Sequence, residues 1–257
     1  MGARTIVITG GGGAIGLAIA RAYASDGSNV VITDVDSSRV AAAVSDVTDL
    51  AGRVASSVVD VSTPDGVRRC VTDALETFGY VDVLVNCAAI MWRGNIFDLS
   101  VDDWRRVIDV NLGGTFLMSQ AVARTMSRGG AIVNIGSINA CRINENIVAY
   151  GVSKAAVDAL TRALAVAFAP YGIRVNGIVG GHVPTELSRV RLDDPVEREK
   201  VVSSIPLGRL GRPIDFAKAV KYLASDEAAW ITGTMLPVDG GWLNIDPTVR
   251  AGPKTAP

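Results

Sequence analysis

Short runs of β-branched and aliphatic residues alternate along the chain with longer stretches whose apolar residues recur at three- and four-residue intervals. Strands are predicted over residues 5–9 (TIVIT), 29–33 (NVVIT), 54–59, 81–86 (VDVLVN), 131–135 (AIVNI), 174–179 and 234–238. Helices are predicted over 15–25, 37–50, from about residue 64 onward, over 102–126 and over 150–169. The strand runs are nearly continuous rather than alternating, the pattern of strands covered on both faces. Strand–helix alternation implies βαβ units wound with right-handed crossovers into a parallel sheet. The fold class expected is therefore α/β: a doubly wound parallel sheet in three α/β/α layers, forming one domain over residues 1–245. Residues 246–257 hold three prolines and no apolar cluster, and read as a loose tail. The charge-rich stretch 185–204 reads equally well as a mobile lid or as a plain surface helix.

Composition narrows the functional classes. The chain has 257 residues, 49% of them hydrophobic, with 25 Lys and Arg against 26 Asp and Glu. That is the balance of a globular protein with a large core. A formal charge of −1 argues against nucleic acid as a partner. A single histidine, His182, argues against a histidine-based metal site, and no metal is expected. Cys70, Cys87 and Cys141 lack CxxC spacing and read as three buried thiols in a reducing compartment. No apolar run reaches the ~20 residues of a membrane span. The opening Met1-Gly2-Ala3-Arg4 leads straight into a strand pattern rather than a signal-peptide layout. A cytoplasmic protein is expected.

Thr9-Gly10-Gly11-Gly12-Gly13-Ala14-Ile15-Gly16 falls where the first strand becomes the first helix. Glycines there permit a tight turn and close approach of backbone to a pyrophosphate. The helix N-terminus adds unpaired N–H groups and a positive dipole end. Asp34 ends the second strand, eighteen residues after Gly16. A carboxylate at that point accepts hydrogen bonds from ribose hydroxyls and repels a 2′-phosphate. Val35, not arginine, follows it, so NAD is the cofactor expected rather than NADP.

Tyr150 and Lys154 stand four residues apart at the start of a long predicted helix, on one face. An ammonium beside a phenol lowers its pKa and lets it exchange a proton with an alcohol or carbonyl oxygen. Ser137 follows the fifth strand, thirteen residues before Tyr150. Its hydroxyl can hydrogen-bond the reacting oxygen. Asn111 precedes Gly113 and Gly114 inside the helix over 102–126, a locally unfavourable sequence. Either a buried polar role for Asn111 or a helix kink accounts for it.

These motifs together resemble the short-chain dehydrogenase/reductase family over essentially the whole chain. The family's TGxxxGxG is met by Thr9, Gly10, Ala14 and Gly16, with Ala14 in place of a glycine. Its NNAG appears as Asn86-Cys87-Ala88-Ala89, departing at two positions. The resemblance implies a Rossmann-type fold and an Asn111–Ser137–Tyr150–Lys154 tetrad. It implies that Gly10, Gly13, Ala14, Ile15, Gly16, Asp34, Asp60, Val61, Asn86 and Ala88 hold the dinucleotide, with Tyr150, Lys154, Val183 and Thr185. Gly180 stands where the family carries proline, which predicts a looser backbone there. Val238-Asp239-Gly240-Gly241 resembles the family's C-terminal signature.

The activity implied is reversible hydride transfer between nicotinamide and a secondary alcohol or ketone. Tyr150 would be the acid/base, Lys154 would tune it and hold the nicotinamide ribose, and Asn111 would position a water. The substrate pocket is assigned to Ser137, Tyr150, Trp92, Asn139, Glu145 and His182. The polar loop 139–147 suggests a polyol, sugar or cyclic alcohol, and a 3-oxoacyl thioester is the alternative. A non-catalytic dinucleotide sensor is a further alternative, but it would be expected to lose tetrad members. Enoyl reductases of similar fold use a wider Tyr–Lys spacing. Small apolar residues on several faces of the two long helices suggest a homodimer or homotetramer.

Overall fold

A computed structural model of the chain describes residues 3–245. The proposed tail over 246–257 lies outside the described residues. Seven strands, all parallel, form one sheet in the order β3-β2-β1-β4-β5-β6-β7. They are β1 (Thr5–Thr9), β2 (Asn29–Asp34), β3 (Val54–Val58), β4 (Val83–Asn86), β5 (Gly130–Ile135), β6 (Ile173–Gly180) and β7 (Met235–Val238). The strand order reverses between β1 and β4, and this opens a crevice at their carboxyl ends.

Each face of the sheet carries its own apolar layer, which is why the strand sequences do not alternate. Ile6 and Ile8 of β1 pack with α1 (Ala14–Ser25), α2 (Ser37–Val47) and α9 (Pro213–Ala224). Val7, between them, packs with α3 (Pro64–Phe78), α5 (Gly114–Ala123) and α6 (Val148–Phe168) on the other side. No helix was predicted over 213–224, yet α9 lies against α1 and buries Phe216, Val220 and Leu223. Its start is marked by Pro213 at N1 and by Asp215, whose carboxylate accepts the Arg212 N–H at 2.9 Å.

The helix predicted over 102–126 is one run of three parts. α4 (Val101–Ile108) passes through a π-helical turn (Asp109–Gly113) into α5, which ends at Ala123. The inserted turn swings Asn111 into the interior. There its Oδ1 accepts the Ile90 N–H at 2.8 Å, and its Nδ2 donates to Ile90 O at 3.0 Å and Ser153 Oγ at 2.9 Å. Gly114 allows the turn to approach Val61, whose Cγ2 would lie 2.7 Å from any added Cβ.

The stretch 185–204 is helical in part, but it is not one plain surface helix. It contains a turn over Glu186–Ser188, then α7 (Arg189–Leu192) and α8 (Pro195–Ser203). Leu192, Val201, Ile205 and Leu210 form a separate small core with Val202 and Trp242 against them. The cysteines also differ from the prediction. Cys70 is buried and Cys87 half-buried, but Cys141, in the loop after β5, is exposed.

A chain of buried amides and hydroxyls ties sheet to helices. Asn86 Nδ2 donates to Ser119 Oγ at 3.0 Å and to Asn134 Oδ1 at 2.9 Å. Asn134 Nδ2 donates to Thr161 Oγ1 at 2.9 Å. β4, β5, α5 and α6 are thereby locked in one register behind the crevice. Asn134→Ala strips partners from two buried groups. It should cost roughly 1–3 kcal/mol, read as a lower urea midpoint with an unchanged m-value.

Candidate active site

The crevice at the strand ends is a cleft of about 940 Å³, running from the glycine loop to the loops after β5 and β6. Gly10 has φ +63°, and a Cβ there would meet the Ala88 backbone at 2.7 Å, so β1 and β4 leave the sheet in contact. Thr9 Oγ1 fastens that junction by accepting the N–H groups of Cys87 (3.0 Å) and Ala88 (3.1 Å). α1 follows Gly13, which offers no side-chain cap, and it has no acidic residue in its first turn. The N–H groups of Ala14 and Ile15 thus face the cleft without intrahelical acceptors. A Cβ on Gly16 would run into the Gly10 carbonyl oxygen and lie 2.8 Å from the Gly11 Cα. This loop can take a phosphate pair against bare backbone, and the residues present fit a dinucleotide.

Asp34 lies beside the loop, its Oδ2 accepting the Gly12 N–H at 3.3 Å and its Oδ1 the Asp36 N–H at 3.2 Å. Arg39, unremarked in the sequence, reaches the same end of the cleft. Its guanidinium is engaged by Glu186 at 2.6 Å and, more loosely, by Asp36 at 3.6 Å. The bridge to Glu186 spans the cleft mouth from α2 to the turn before α7. A cation five residues past Asp34, in the first turn of the next helix, was the signal available for Arg39. Asp60 holds the Ser62 N–H at 2.9 Å and faces Arg106 at 3.4 Å.

At the other end, Tyr150 is buried at the start of α6, with Ser137 beside its hydroxyl. Lys154 is also buried. Its Nζ donates to the Ile135 carbonyl at 2.7 Å and sits 5.7 Å from the centre of the Tyr150 ring. Burial pushes the Lys154 ammonium down to about 8. The Tyr150 phenol does not follow the expectation of a lowered pKa. Burial pushes it up, opposed by the Ser137 hydroxyl. The ammonium points to the Ile135 carbonyl, 5.7 Å from the ring centre, and does not offset the burial of the phenol. Ser137 Oγ accepts from the N–H and the Nδ2 of Asn139, each at 3.2 Å, so both side chains face the cleft together.

Most of the predicted residues meet in this cleft: Gly10, Gly13, Ala14, Ile15, Gly16, Asp34, Asp60, Val61, Ala88, Ser137, Asn139, Tyr150, Lys154, His182, Val183 and Thr185. Four do not line it. Asn86 is committed to the amide chain behind the sheet, and Asn111 to Ile90 and Ser153. Asn111 therefore acts by fixing the loop after β4 and the α6 turn between Tyr150 and Lys154, since Ser153 Oγ in turn donates to Tyr150 O at 2.8 Å. The Trp92 ring folds over Gly94, and Glu145 is exposed. Their neighbours Met91, Arg93 and Asn144 line the cleft instead.

His182 stacks edge-on against Trp242 at 5.3 Å, and burial takes its pKa down to about 4, leaving it neutral. Arg142 sits over the same indole at 5.1 Å and donates to Leu243 O (3.2 Å) and Ile245 O (2.7 Å). It fastens the segment after β7 to the loop after β5. Asp239 shapes the turn before that segment by accepting the N–H groups of Gly241 and Leu243, each at 2.8 Å. The backbone at Gly180 is not loose. It pairs with Val238 inside the sheet, and the Phe216 ring fills the space of a side chain, 2.6 Å from a Cβ position.

A family model described as enoyl-(acyl carrier protein) reductase matches residues 12–243. The chain is 36% identical over 245 residues to L-rhamnose 1-dehydrogenase (NAD(P)(+)) of Azotobacter vinelandii, covering 93% of this chain and 96% of that protein. The chain belongs to the short-chain dehydrogenase/reductase family. It is 36% identical to a 3-oxoacyl-(acyl-carrier-protein) reductase of Chlamydia trachomatis, over 93% of this chain and 96% of the relative. A solved structure of NAD+-bound xylitol dehydrogenase superposes with a TM-score of 0.88 at 32% identity, covering 93% of this chain and 98% of that one. As in that family, the chain is an oxidoreductase. No helix among the described residues is long and apolar enough to cross a membrane.

The added methyl of Gly16→Ala meets only backbone, so the loop must open to admit it. Titration of NADH fluorescence should then show at least a ~10-fold weaker Kd, about 1.4 kcal/mol.

Proposed function

We propose that the protein is an NAD(H)-dependent dehydrogenase that interconverts a secondary alcohol and a ketone, with a sugar or polyol as its substrate class. The observation that carries the reading is that Tyr150, Lys154 and Ser137 share one cleft with the glycine loop and Asp34. When bound, the nicotinamide supplies or accepts the hydride. Ser137 would hold the substrate oxygen by a hydrogen bond, and Tyr150 would give or take its proton. Lys154, anchored on the Ile135 carbonyl, would stabilise the phenolate when the proton leaves. Asn111 would keep Tyr150 and Lys154 in register through Ser153. Val183 and Thr185 would meet the cofactor from the loop after β6, where Ser188 Oγ donates to Val183 O at 2.7 Å and holds the loop in place.

NAD is favoured over NADP by charge. The Asp34 carboxylate stands at the ribose end, and the nearby Arg39 is already engaged by Glu186. Asn139, Asn144 and the neutral His182 offer donors and acceptors for several hydroxyl groups, which favours a polyhydroxylated substrate. The L-rhamnose and xylitol dehydrogenases among the relatives agree with this choice. A second reading, a 3-oxoacyl thioester reductase, draws on the apolar Ile90, Met91, Ile138 and Leu187 along the same cleft. A protein of the cytoplasm and an association of copies through α5 and α6 also fit. Phe116, Val152 and Val166 on those helices are 40%, 42% and 78% exposed.

The test is absorbance at 340 nm against sugars, polyols, cyclic ketones and 3-oxoacyl thioesters, with Tyr150→Phe as the control. Sugar- or polyol-linked turnover is expected, and the variant should lose at least ~100-fold in kcat while still binding NADH. Activity confined to thioesters or apolar ketones would remove the substrate class. Substantial kcat in Tyr150→Phe would remove the mechanism. NADH should give a higher kcat/KM than NADPH, and Asp34→Ala should narrow that ratio by about 10-fold or more.

A further inference from the structure

Asp158 is a buried carboxylate to which the catalytic account gives no part. It follows Lys154 by four residues, so Tyr150, Lys154 and Asp158 form one column along a face of α6. The residue is 9% exposed, and its Oδ1 has no hydrogen-bond partner among the described residues. A Cβ built on Gly136 would lie 3.1 Å from that oxygen. The carboxylate thus rests against the backbone joining Ile135, whose carbonyl anchors Lys154, to Ser137. It caps no helix end, and no ion pair of 4.0 Å or less to it occurs among the described residues. Keeping an unpartnered carboxylate in such a place costs stability, which a purely structural position would shed.

We propose that Asp158 is a positioning residue for proton transfer at Tyr150, acting through Lys154: its carboxylate holds the buried amine in the ammonium form. The inference rests on the reading of Tyr150 and Lys154 as the proton-transfer pair. Several charged or titratable groups bear on the column. Cys87 faces Lys154 and Tyr150 from the end of β4, Asp34 acts on Cys87 from the end of β2, and Arg162 bears on Asp158 from the next turn of α6. β5 and β7 contribute the Ile135 carbonyl, Gly136 and Met235, none of them titratable. Burial drives the Lys154 ammonium down, and Cys87 and Asp158 oppose it. Burial also holds Cys87 as a neutral thiol, with a pKa of about 11. Asp158 is therefore the carboxylate whose charge opposes the burial of Lys154. Burial raises its own pKa, and Arg162 and then Lys154 counter that.

The sign of the effect follows. A carboxylate raises the pKa of a neighbouring ammonium and of a neighbouring phenol. Alcohol oxidation needs the Tyr150 phenolate on its acid limb and the Lys154 ammonium on its basic limb, and the two titrate as a coupled pair. Removing the charge lowers both values.

The experiment is the pH dependence of kcat/KM for NAD-linked oxidation of the best alcohol, in wild type, Asp158→Asn and Asp158→Glu, with the Tm of each. Asp158→Asn should move both limbs toward acid by about half a pH unit or more. Its Tm should be unchanged or higher, and Asp158→Glu should keep the wild-type limbs. Asp158→Ala gives the same reading should the Asn variant fail to fold. Limbs that stay in place while amplitude or Tm falls would overturn the proposal and leave Asp158 a packing residue. Full turnover in Tyr150→Phe would instead overturn the reading beneath it, so the two failures are separable.

Discussion

Burying an amine beside the carboxyl ends of β4 and β5 is the demand around which this site is arranged. A lysine in the interior is driven toward neutrality, and Lys154 is taken down to about 8. The protein answers with a carbonyl at 2.7 Å from Ile135 and a carboxylate one helical turn away. Both must be fixed, because an ammonium that drifted would lose that compensation. That requirement explains the density of buried polar contacts around α6. Asn111 grips Ser153 and the Ile90 backbone, and Ser153 grips the Tyr150 carbonyl. The π-helical turn over Asp109–Gly113 is the local distortion that delivers Asn111 to this position.

The same economy governs the sheet. A parallel sheet covered on both faces leaves little interior space for polar side chains, yet Asn86 and Asn134 lie at its centre. They are tolerated because each Nδ2 donates to the next group, through Ser119 and Thr161 into the helices on one side. The result is a rigid floor beneath the crevice. The glycine loop and the loop after β4 leave that floor side by side, joined through the Thr9 hydroxyl. The glycine loop and the Tyr150–Lys154 turn are therefore positioned by one continuous network.

The parts legible in the sequence are those with strong local chemistry. The β-branched runs located the seven strands because both faces of each central strand are apolar. The run of glycines was readable because only glycine fits where Gly10 touches Ala88 and Gly16 meets the Gly10 carbonyl. Four-residue spacing set Tyr150 and Lys154 on one face, but spacing is silent about depth. It could not say that burial would raise the phenol rather than lower it. Trp92 and Glu145 were drawn into the pocket by their position in the chain, whereas the loop turns send Met91 and Asn144 there instead. α9 was not predicted, although Pro213 and Asp215 mark its start. Its helical form is fixed by packing on α1, which sequence does not display. Asn111 announced a conflict without its resolution, which depends on Ile90, twenty-one residues earlier.

Charge at the cleft mouth completes the logic of the site. Asp34 makes the ribose end negative, and an unopposed arginine beside it would cancel that preference. Arg39 reaches the same end, but its guanidinium is claimed by Glu186 across the opening. Both partners are substantially exposed, so the pair adds little to the stability of the fold. Its consequence is instead one of selectivity and placement. Under the proposed reading it would withhold a cation from a 2′-phosphate, and it ties the turn before α7 to the helix that follows Asp34. The turn that follows Val183 and Thr185 is thus tied to the glycine-loop end of the cleft. The exposed bridge and the buried ammonium work at opposite ends of one cavity, and in each case what matters is which charge the protein keeps occupied.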